Sequence, residues 1–191
     1  PGRAGDLDGG VGGAVGDDEH LCAGYELGDG MQRVGENDLL VVRGHEHRDL
    51  VEGDALGADI GGGKAGPGAV VDADEEIRRV VPFVEWVRAT HPHLVISVDT
   101  WRSEVAEQAC AAGADLVNDT WAGADPDLVH TAARCGAGIV CSHTGGATPR
   151  TRPHRVRYTD VVADVLAEVT AAADRAEAAG VVADGILIDP T

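Results

Sequence analysis

The chain has 191 residues, of which 43% are hydrophobic, and this is enough for one domain with a sizeable core. Its formal net charge of −18 argues against nucleic acid as a partner, although a small anionic ligand is compatible with it because local charge can oppose the total. No apolar run approaches the roughly 20 residues of a membrane helix and no secretory signal begins the chain, so we expect a cytoplasmic protein without a membrane partner.

The first part of the chain, residues 1–55, differs in composition from the rest. Residues 1–58 contain 14 of the 27 glycines, and 13 acidic residues against 4 arginines. Apolar runs there are short, as at residues 39–42, and no helical periodicity is sustained. Because such a segment buries little apolar surface, we expect it to be disordered or mis-framed and separate from a domain over residues 56–191.

From residue 69 onward, helix and strand patterns alternate strictly. Four amphipathic or glycine-terminated helices are predicted, over residues 72–89, 102–112, 126–134 and 159–179. Four short apolar runs are typical of buried parallel strands, at residues 94–98, 116–117, 138–141 and 186–188. Alternation of this kind predicts an α/β fold in which helices connect parallel strands.

A polar residue capable of chemistry stands at the end of each predicted strand. These residues are Asp99, Asn118, His143 and Asp189. In a (β/α) barrel the strand ends converge on one face, whereas a doubly wound sheet gathers its ligand groups at one switch point. Repetition over four strands therefore favours a (β/α)8 TIM barrel, although an Asp or Asn at any one position is also explained by capping of the next helix.

The chemistry of this set favours a flat, polar heterocycle as the ligand. Ionised carboxylates accept hydrogen bonds from ring N–H and amino groups, and an asparagine amide both donates and accepts. Acids in an apolar pocket would bind an amino-pyrimidine edge through charge-assisted hydrogen bonds.

Three motifs at strand ends resemble dihydropteroate synthase in residue type, order and spacing. They read Ile-Ser-Val-Asp-Thr at 96–100, Gly-Ala-Asp-Leu-Val-Asn-Asp at 113–119 and Ile-Asp-Pro at 188–190, and the resemblance covers about residues 59–191. It implies a TIM barrel that joins 6-hydroxymethyl-7,8-dihydropterin pyrophosphate to p-aminobenzoate in folate biosynthesis. It also implies Mg2+ at the departing pyrophosphate and a homodimer for the full-length protein.

The resemblance further implies roles for individual residues. Asp99, Asn118 and Asp189 fall on the family's pterin-binding positions. Asp99 and Asp189 would be catalytic, holding the polar edges of the pterin and stabilising positive charge that develops on its ring. We place His143 in the same substrate-binding set because it also follows a strand end.

One motif departs from the family. Residues 59–68 read Asp-Ile-Gly-Gly-Gly-Lys-Ala-Gly-Pro-Gly, where the family usually has Asp-x-Gly-Gly-Glu-Ser-Thr-Arg-Pro-Gly. Lys64, Ala65 and Gly66 thus replace family residues on the pyrophosphate and p-aminobenzoate side. Lys64 either binds an anion as part of the substrate site or is a solvated lysine. Two alternatives to a synthase follow: a pterin-binding paralogue without synthase activity, and a methyltransferase from a folate to a corrinoid.

The chain also lacks parts of the family pattern. The first-strand motif of the metal and lid region is not found in residues 1–58, nor is the lysine or Arg-x-His of the later strands found before Thr191. We therefore expect an incomplete barrel, about strands 2–5, that is inactive by itself. A truncated or mis-framed fragment and an unrelated N-terminal extension both explain the start of the resemblance near Asp59.

Three smaller features add to these expectations. Residues 144–158 contain four arginines, a basic patch that either meets a phosphate or is a solvated loop. Trp101 and Trp121 each follow a strand-end motif and either wall the ligand pocket or pack in the core. His45 and His47, separated by one residue, are compatible with a metal site, but solvent exposure in an acidic segment explains them more simply.

Overall fold

The computed structural model describes residues 31–34, 39–43, 57–63, 70–150 and 156–190. Its strands are β1 Met31–Val34, β2 Leu39–Arg43, β3 Gly57–Gly61, β4 Val95–Asp99, β5 Leu116–Asp119, β6 Gly138–Ser142 and β7 Ile186–Asp189. Its helices are α1 Ala73–Thr90, α2 Ser103–Ala112, α3 Leu128–Cys135 and α4 Val161–Ala179, and a short 3-10 turn, Ala183–Gly185, leads into β7. None of the described helices is long and apolar enough to span a membrane.

All seven strands form one sheet in the order of the chain, from β1 to β7. β1 is antiparallel to β2, whereas β2 to β7 are parallel to one another. From β3 to β7 a helix connects each strand to the next, and this sequential order is the arrangement of a (β/α) barrel. The predicted fold class is therefore confirmed over this part of the barrel.

The predicted helices and strands from residue 69 onward are present, with boundaries that differ by one or two residues. Asp72 caps α1 as expected, because its side chain accepts a hydrogen bond from the backbone N–H of Glu75 at 2.9 Å. Gly113, Gly136 and Gly180 end the other helices in the left-handed conformation, with φ of 116°, 70° and 102°.

Three strands go beyond the four that the sequence marks clearly. β3 carries Asp59, and β1 and β2 come from the glycine-rich first part of the chain. The apolar run at residues 39–42 becomes β2, which pairs with β3 in the same sheet. The other residues of the first part lie outside the described ranges, so the expected disorder and the division near residue 56 stay predictions.

The described helices pack against one face of the sheet. One cluster joins α1 to β3 and β4 and includes Ile60, Val84 and Ile96, all at most 3% exposed. A second cluster joins α3 and α4 to β5 and β6 and includes Leu128 and Ile139. Helices on one face only are typical of a barrel wall, since a doubly wound sheet is covered on both faces. The opposite face is therefore the interior side of the barrel.

Candidate functional site

The strand register places the predicted ligand residues on the interior face. Asp99 at the end of β4 is the register partner of Asn118 on β5, and Asp189 at the end of β7 is the partner of Ser142 on β6. Ser142 stands two residues beyond Val140, the partner of Asn118, and residues two apart share a face of a strand. Asp99, Asn118 and Asp189 therefore line one face, and all three are half-buried.

Two hydrogen bonds organise the β3–β5 part of this face. Asn118 Nδ2 donates to Asp59 Oδ2 at 3.4 Å, and Thr120 Oγ1 donates to Asp99 Oδ1 at 3.0 Å. The Thr120 bond holds one carboxylate oxygen of Asp99 in place at the end of β4. We expect these contacts to fix the side-chain orientations that a ligand would meet.

A cavity lies beside Asp99 and is walled by aromatic and basic side chains. The rings of Trp101 and Trp121 meet edge to face, with centroids 6.5 Å apart and planes at 85°. Trp121 is 8% exposed, and its Nε1 has no hydrogen-bond partner among the described residues. The lining consists of Gly63, Val71, Glu76, Asp99, Trp101, Arg102, Trp121 and Arg150. The cavity is thus lined by two indole side chains next to the strand-end carboxylate.

Arg102 holds this wall in place. Its guanidinium lies 4.5 Å above the Trp101 ring, pairs with the buried Glu76 of α1, and donates from Nη2 to the Val71 carbonyl at 2.8 Å. The ion pair joins α1 to the start of α2, and its Glu76 carboxylate is buried, since Glu76 is only 3% exposed. Arg102 is therefore a positioning residue for Trp101 rather than a free cation.

Asp119 follows Asn118 but points to the helix face and has a structural role. Its carboxylate accepts hydrogen bonds from the backbone N–H groups of Trp121 at 3.3 Å and Gly123 at 2.7 Å. Burial raises the pKa of Asp119, an effect that these two backbone bonds partly offset. The Asp119 side chain fixes the turn that carries Trp121. Asn118 thus lies in the site itself, whereas its neighbour Asp119 supports the site from the helix face.

The structure does not bring His143 together with the other predicted ligand residues. The His143 ring is on the helix face, where Nε2 lies 3.0 Å from Asp164 Oδ2 and 3.7 Å from Glu168 Oε2 of α4. Its backbone contacts the strand-end group, because its N–H donates to the Asp189 carbonyl at 3.0 Å. A direct role of His143 in substrate binding stays a prediction.

Several predicted residues lie outside the described ranges. They are Lys64, with its neighbours Ala65 and Gly66, the pair His45 and His47, and the loop residues Arg152 and Arg155. Of the basic loop, Arg150 is described and lines the cavity beside Asp99. The anion-binding role proposed for Lys64 therefore stays a prediction.

A magnesium site requires oxygen ligands, which are often one or two carboxylates together with substrate phosphates. Among the described residues, the side chains close enough to share an ion are His143, Asp164 and Glu168, on the helix face. The strand-end carboxylates form no such group within those ranges. Magnesium binding thus stays an expectation from the resemblance.

Two contributors to the site were not singled out from the sequence. Asp59 was noted only as part of a departing motif, yet it contacts Asn118, and Thr120 binds Asp99. Alternation in β3 was the available signal, because apolar Ala58 and Ile60 flank Asp59 and send it to the interior face. Thr120 comes directly after β5, and the residues around it show no comparable alternation that would predict its orientation.

Comparison with known proteins identifies the family of the chain. A family model described as "Pterin binding enzyme" matches residues 45–191. The chain is 60% identical over 154 residues to "Inactive dihydropteroate synthase 2" of Mycobacterium leprae, covering 78% of this chain and 53% of that protein. It is 35% identical over 164 residues to the dihydropteroate synthase of Synechocystis, covering 85% of this chain and 56% of that protein.

A solved structure agrees with the fold. The dihydropteroate synthase of Xanthomonas albilineans with 4-aminobenzoic acid superposes with a TM-score of 0.63 at 38% identity, over 72% of this chain and 48% of that chain. The chain thus spans about half the length of the relatives that it matches. Since the family model covers most of its residues, the chain belongs to the dihydropteroate synthase family of pterin-binding enzymes.

Proposed function

We propose that this chain is the pterin-binding part of a dihydropteroate synthase paralogue that binds a dihydropterin without joining it to p-aminobenzoate. The observation that carries the proposal is the common interior face of Asp99, Asn118 and Asp189. These three side chains supply both carboxylate acceptors and an amide, which match the alternating donors and acceptors of a pterin edge.

Each residue has a specific part in this binding. With Asn118 Nδ2 donating to Asp59, the amide oxygen of Asn118 is directed to accept from a pterin N–H. Asp99 and Asp189 accept from the amino and ring N–H groups of the pterin and stabilise positive charge on its ring. Asp99 is held for this by Thr120.

The proposed absence of turnover rests on the residues that would bind p-aminobenzoate and the pyrophosphate. The Mycobacterium leprae relative, at 60% identity, is named as inactive. In the present chain Lys64, Ala65 and Gly66 stand where the family usually has Ser, Thr and Arg. Loss of an arginine fork and two hydroxyls removes directed hydrogen bonds to a pyrophosphate or a carboxylate.

The decisive experiment separates binding from turnover in the full-length protein. Calorimetry with 6-hydroxymethyl-7,8-dihydropterin pyrophosphate should show binding that is weakened in Asp99→Ala. A product assay with labelled p-aminobenzoate should show no dihydropteroate. No binding, or binding unaffected by Asp99→Ala, would contradict the pterin site. A triple variant, Lys64→Ser with Ala65→Thr and Gly66→Arg, should gain turnover if this loop is the cause.

Synthase activity is the second candidate. It is favoured by the retained Asp99, Asn118 and Asp189 and by similarity to the Synechocystis and Bacillus subtilis dihydropteroate synthases. Robust product formation by the unmodified full-length protein would establish it and refute the first proposal. Methyl transfer from a folate to a corrinoid remains open beside both, and its absence in a cobalamin assay would remove it.

The assembly and location are proposed from the resemblance. We propose that the full-length protein forms a homodimer in the cytoplasm. Light scattering on the purified protein measures its mass directly, and a monomer over a wide concentration range would contradict the dimer.

A further inference from the structure

A second group of chemically active side chains lies on the helix face, apart from the strand-end residues. His143 follows β6, and its side chain is 5% exposed. Asp164 and Glu168 stand four residues apart on α4, so they occupy the same face of that helix. Their side chains are 42% and 33% exposed, which leaves the group open to solvent from the carboxylate side.

The spacing of the donor atoms suits a small metal ion. His143 Nε2 lies 3.0 Å from Asp164 Oδ2 and 3.7 Å from Glu168 Oε2, and the three donor atoms lie within 4.8 Å of one another. Zinc bonds of about 2.0–2.2 Å in a tetrahedral site separate ligand atoms by roughly 3.4 Å. The observed separations bracket that value, so an ion fits with small side-chain rotations.

The charge of the group also favours a dication. Two carboxylates face one imidazole, and within the described ranges neither Asp164 nor Glu168 has an ion pair with lysine or arginine. A protonated His143 would balance only one of them. The Tyr158 ring lies beside the imidazole, with centroids 5.6 Å apart and planes at 37°.

We propose that His143, Asp164 and Glu168 bind one zinc ion, through Nε2 and one oxygen of each carboxylate, with water completing the tetrahedron. An imidazole nitrogen among the ligands selects zinc over magnesium, which prefers oxygen ligands. The ion would fasten the end of β6 to α4 and leave the interior face free. The site is therefore independent of the proposed pterin site.

Zinc titration of the full-length protein by calorimetry tests the proposal. We expect one zinc per chain, with an affinity that falls more than about tenfold in Asp164→Asn and in Glu168→Gln, since loss of even an outer-sphere partner has an effect of that size. The matched controls Asp174→Asn and Glu177→Gln change exposed residues of the same helix and should bind zinc as the unmodified protein does. Magnesium should not compete.

Proton NMR of the unmodified protein makes the test independent of variant folding. The ring signals of His143 should shift on addition of one equivalent of zinc, and circular dichroism should show that both variants keep their helices. The proposal is overturned if the unmodified protein binds no zinc, if the His143 signals do not move, or if both variants retain full zinc affinity. Equal affinity for magnesium would overturn the choice of metal.

Discussion

Asn118 Nδ2 donates a hydrogen bond to Asp59 Oδ2 at 3.4 Å, although β4 lies between their two strands. The contact crosses the end of β4, where Asp99 is located. A bond that spans three strands ties β3 and β5 around the central carboxylate. It also orients the Asn118 amide, so that ligand recognition depends on Asp59 as well.

We expect substitution of the strand-end residues to weaken pterin binding to different degrees. Asp99→Ala removes a charge-assisted hydrogen bond, so affinity should fall by about 1.5–3 kcal/mol. Asn118→Ala removes neutral hydrogen bonds and should cost about 0.5–1.5 kcal/mol. Asp59→Ala should act in the same direction as Asn118→Ala, and calorimetry with the pterin pyrophosphate measures all three.

The control for this series is Asp127→Ala, an exposed carboxylate before α3 whose side chain makes no capping hydrogen bond. It should bind pterin as the unmodified protein does. Equal affinities across Asp99→Ala, Asn118→Ala and Asp127→Ala would refute the assignment of the site.

Gly62 permits a close approach between the end of β3 and α1. A Cβ at Gly62 would lie 2.7 Å from Glu76 Cγ and 3.0 Å from Val80 Cγ2, whereas a Cβ at Gly63 would meet Val71 at ordinary contact distances of 3.6–3.7 Å. Gly62→Ala should therefore lower the free energy of unfolding by about 1–3 kcal/mol in urea denaturation. Gly63→Ala is the matched control, and equal losses in the two variants would contradict the close approach.

Removal of Arg102 should leave the buried Glu76 carboxylate without its cationic partner. We expect Arg102→Ala to lower the free energy of unfolding by about 3–5 kcal/mol, because an uncompensated buried charge is costly. The double variant Glu76→Gln with Arg102→Ala should recover part of that loss. A double-mutant cycle in urea measures the coupling, and purely additive effects would show that the pair does not interact.

The raised pKa of Asp119 predicts a pH dependence of stability. The folded state holds this proton more tightly than the unfolded chain, so the contribution of Asp119 is fully present below its ordinary pKa of 3.8 and is lost as pH rises through the folded value. The Asp119→Asn variant has no ionisable group at this position, so its stability does not fall in this way as pH rises. The stability of the variant relative to the unmodified protein should therefore improve as pH rises from about 3.5 upward, and then level off.

Urea denaturation at several pH values measures this change. The comparison uses the change of this difference with pH rather than its size at one pH, because Asp119→Asn also alters the hydrogen bonds to Trp121 and Gly123. A difference between the two proteins that does not vary with pH would contradict the shift.

Local sequence patterns determined the secondary structure from α1 to β7 and the chemical character of the strand ends. Asp72 and the terminal glycines mark helix limits because their preferences act over a few residues. Asp99, Asn118 and Asp189 could likewise be predicted as ligand residues, because parallel strands bring their carboxyl ends to one edge of a sheet. β1 lacked a comparable signal, since a four-residue strand at a sheet edge has little pattern of its own.

Only the tertiary structure decided which face each strand-end side chain joins. Asn118 and Asp119 are neighbours of similar chemistry, yet one lies on the interior face and the other buries itself against the helix side. His143 likewise turns to Asp164 of α4. In β5 and β6 apolar residues fall on both faces, as at Leu116 and Val117, so these strands lack the alternation that reveals the orientation of Asp59 in β3. The helices that pack over one face supply that information, and they are set by contacts distant in the chain.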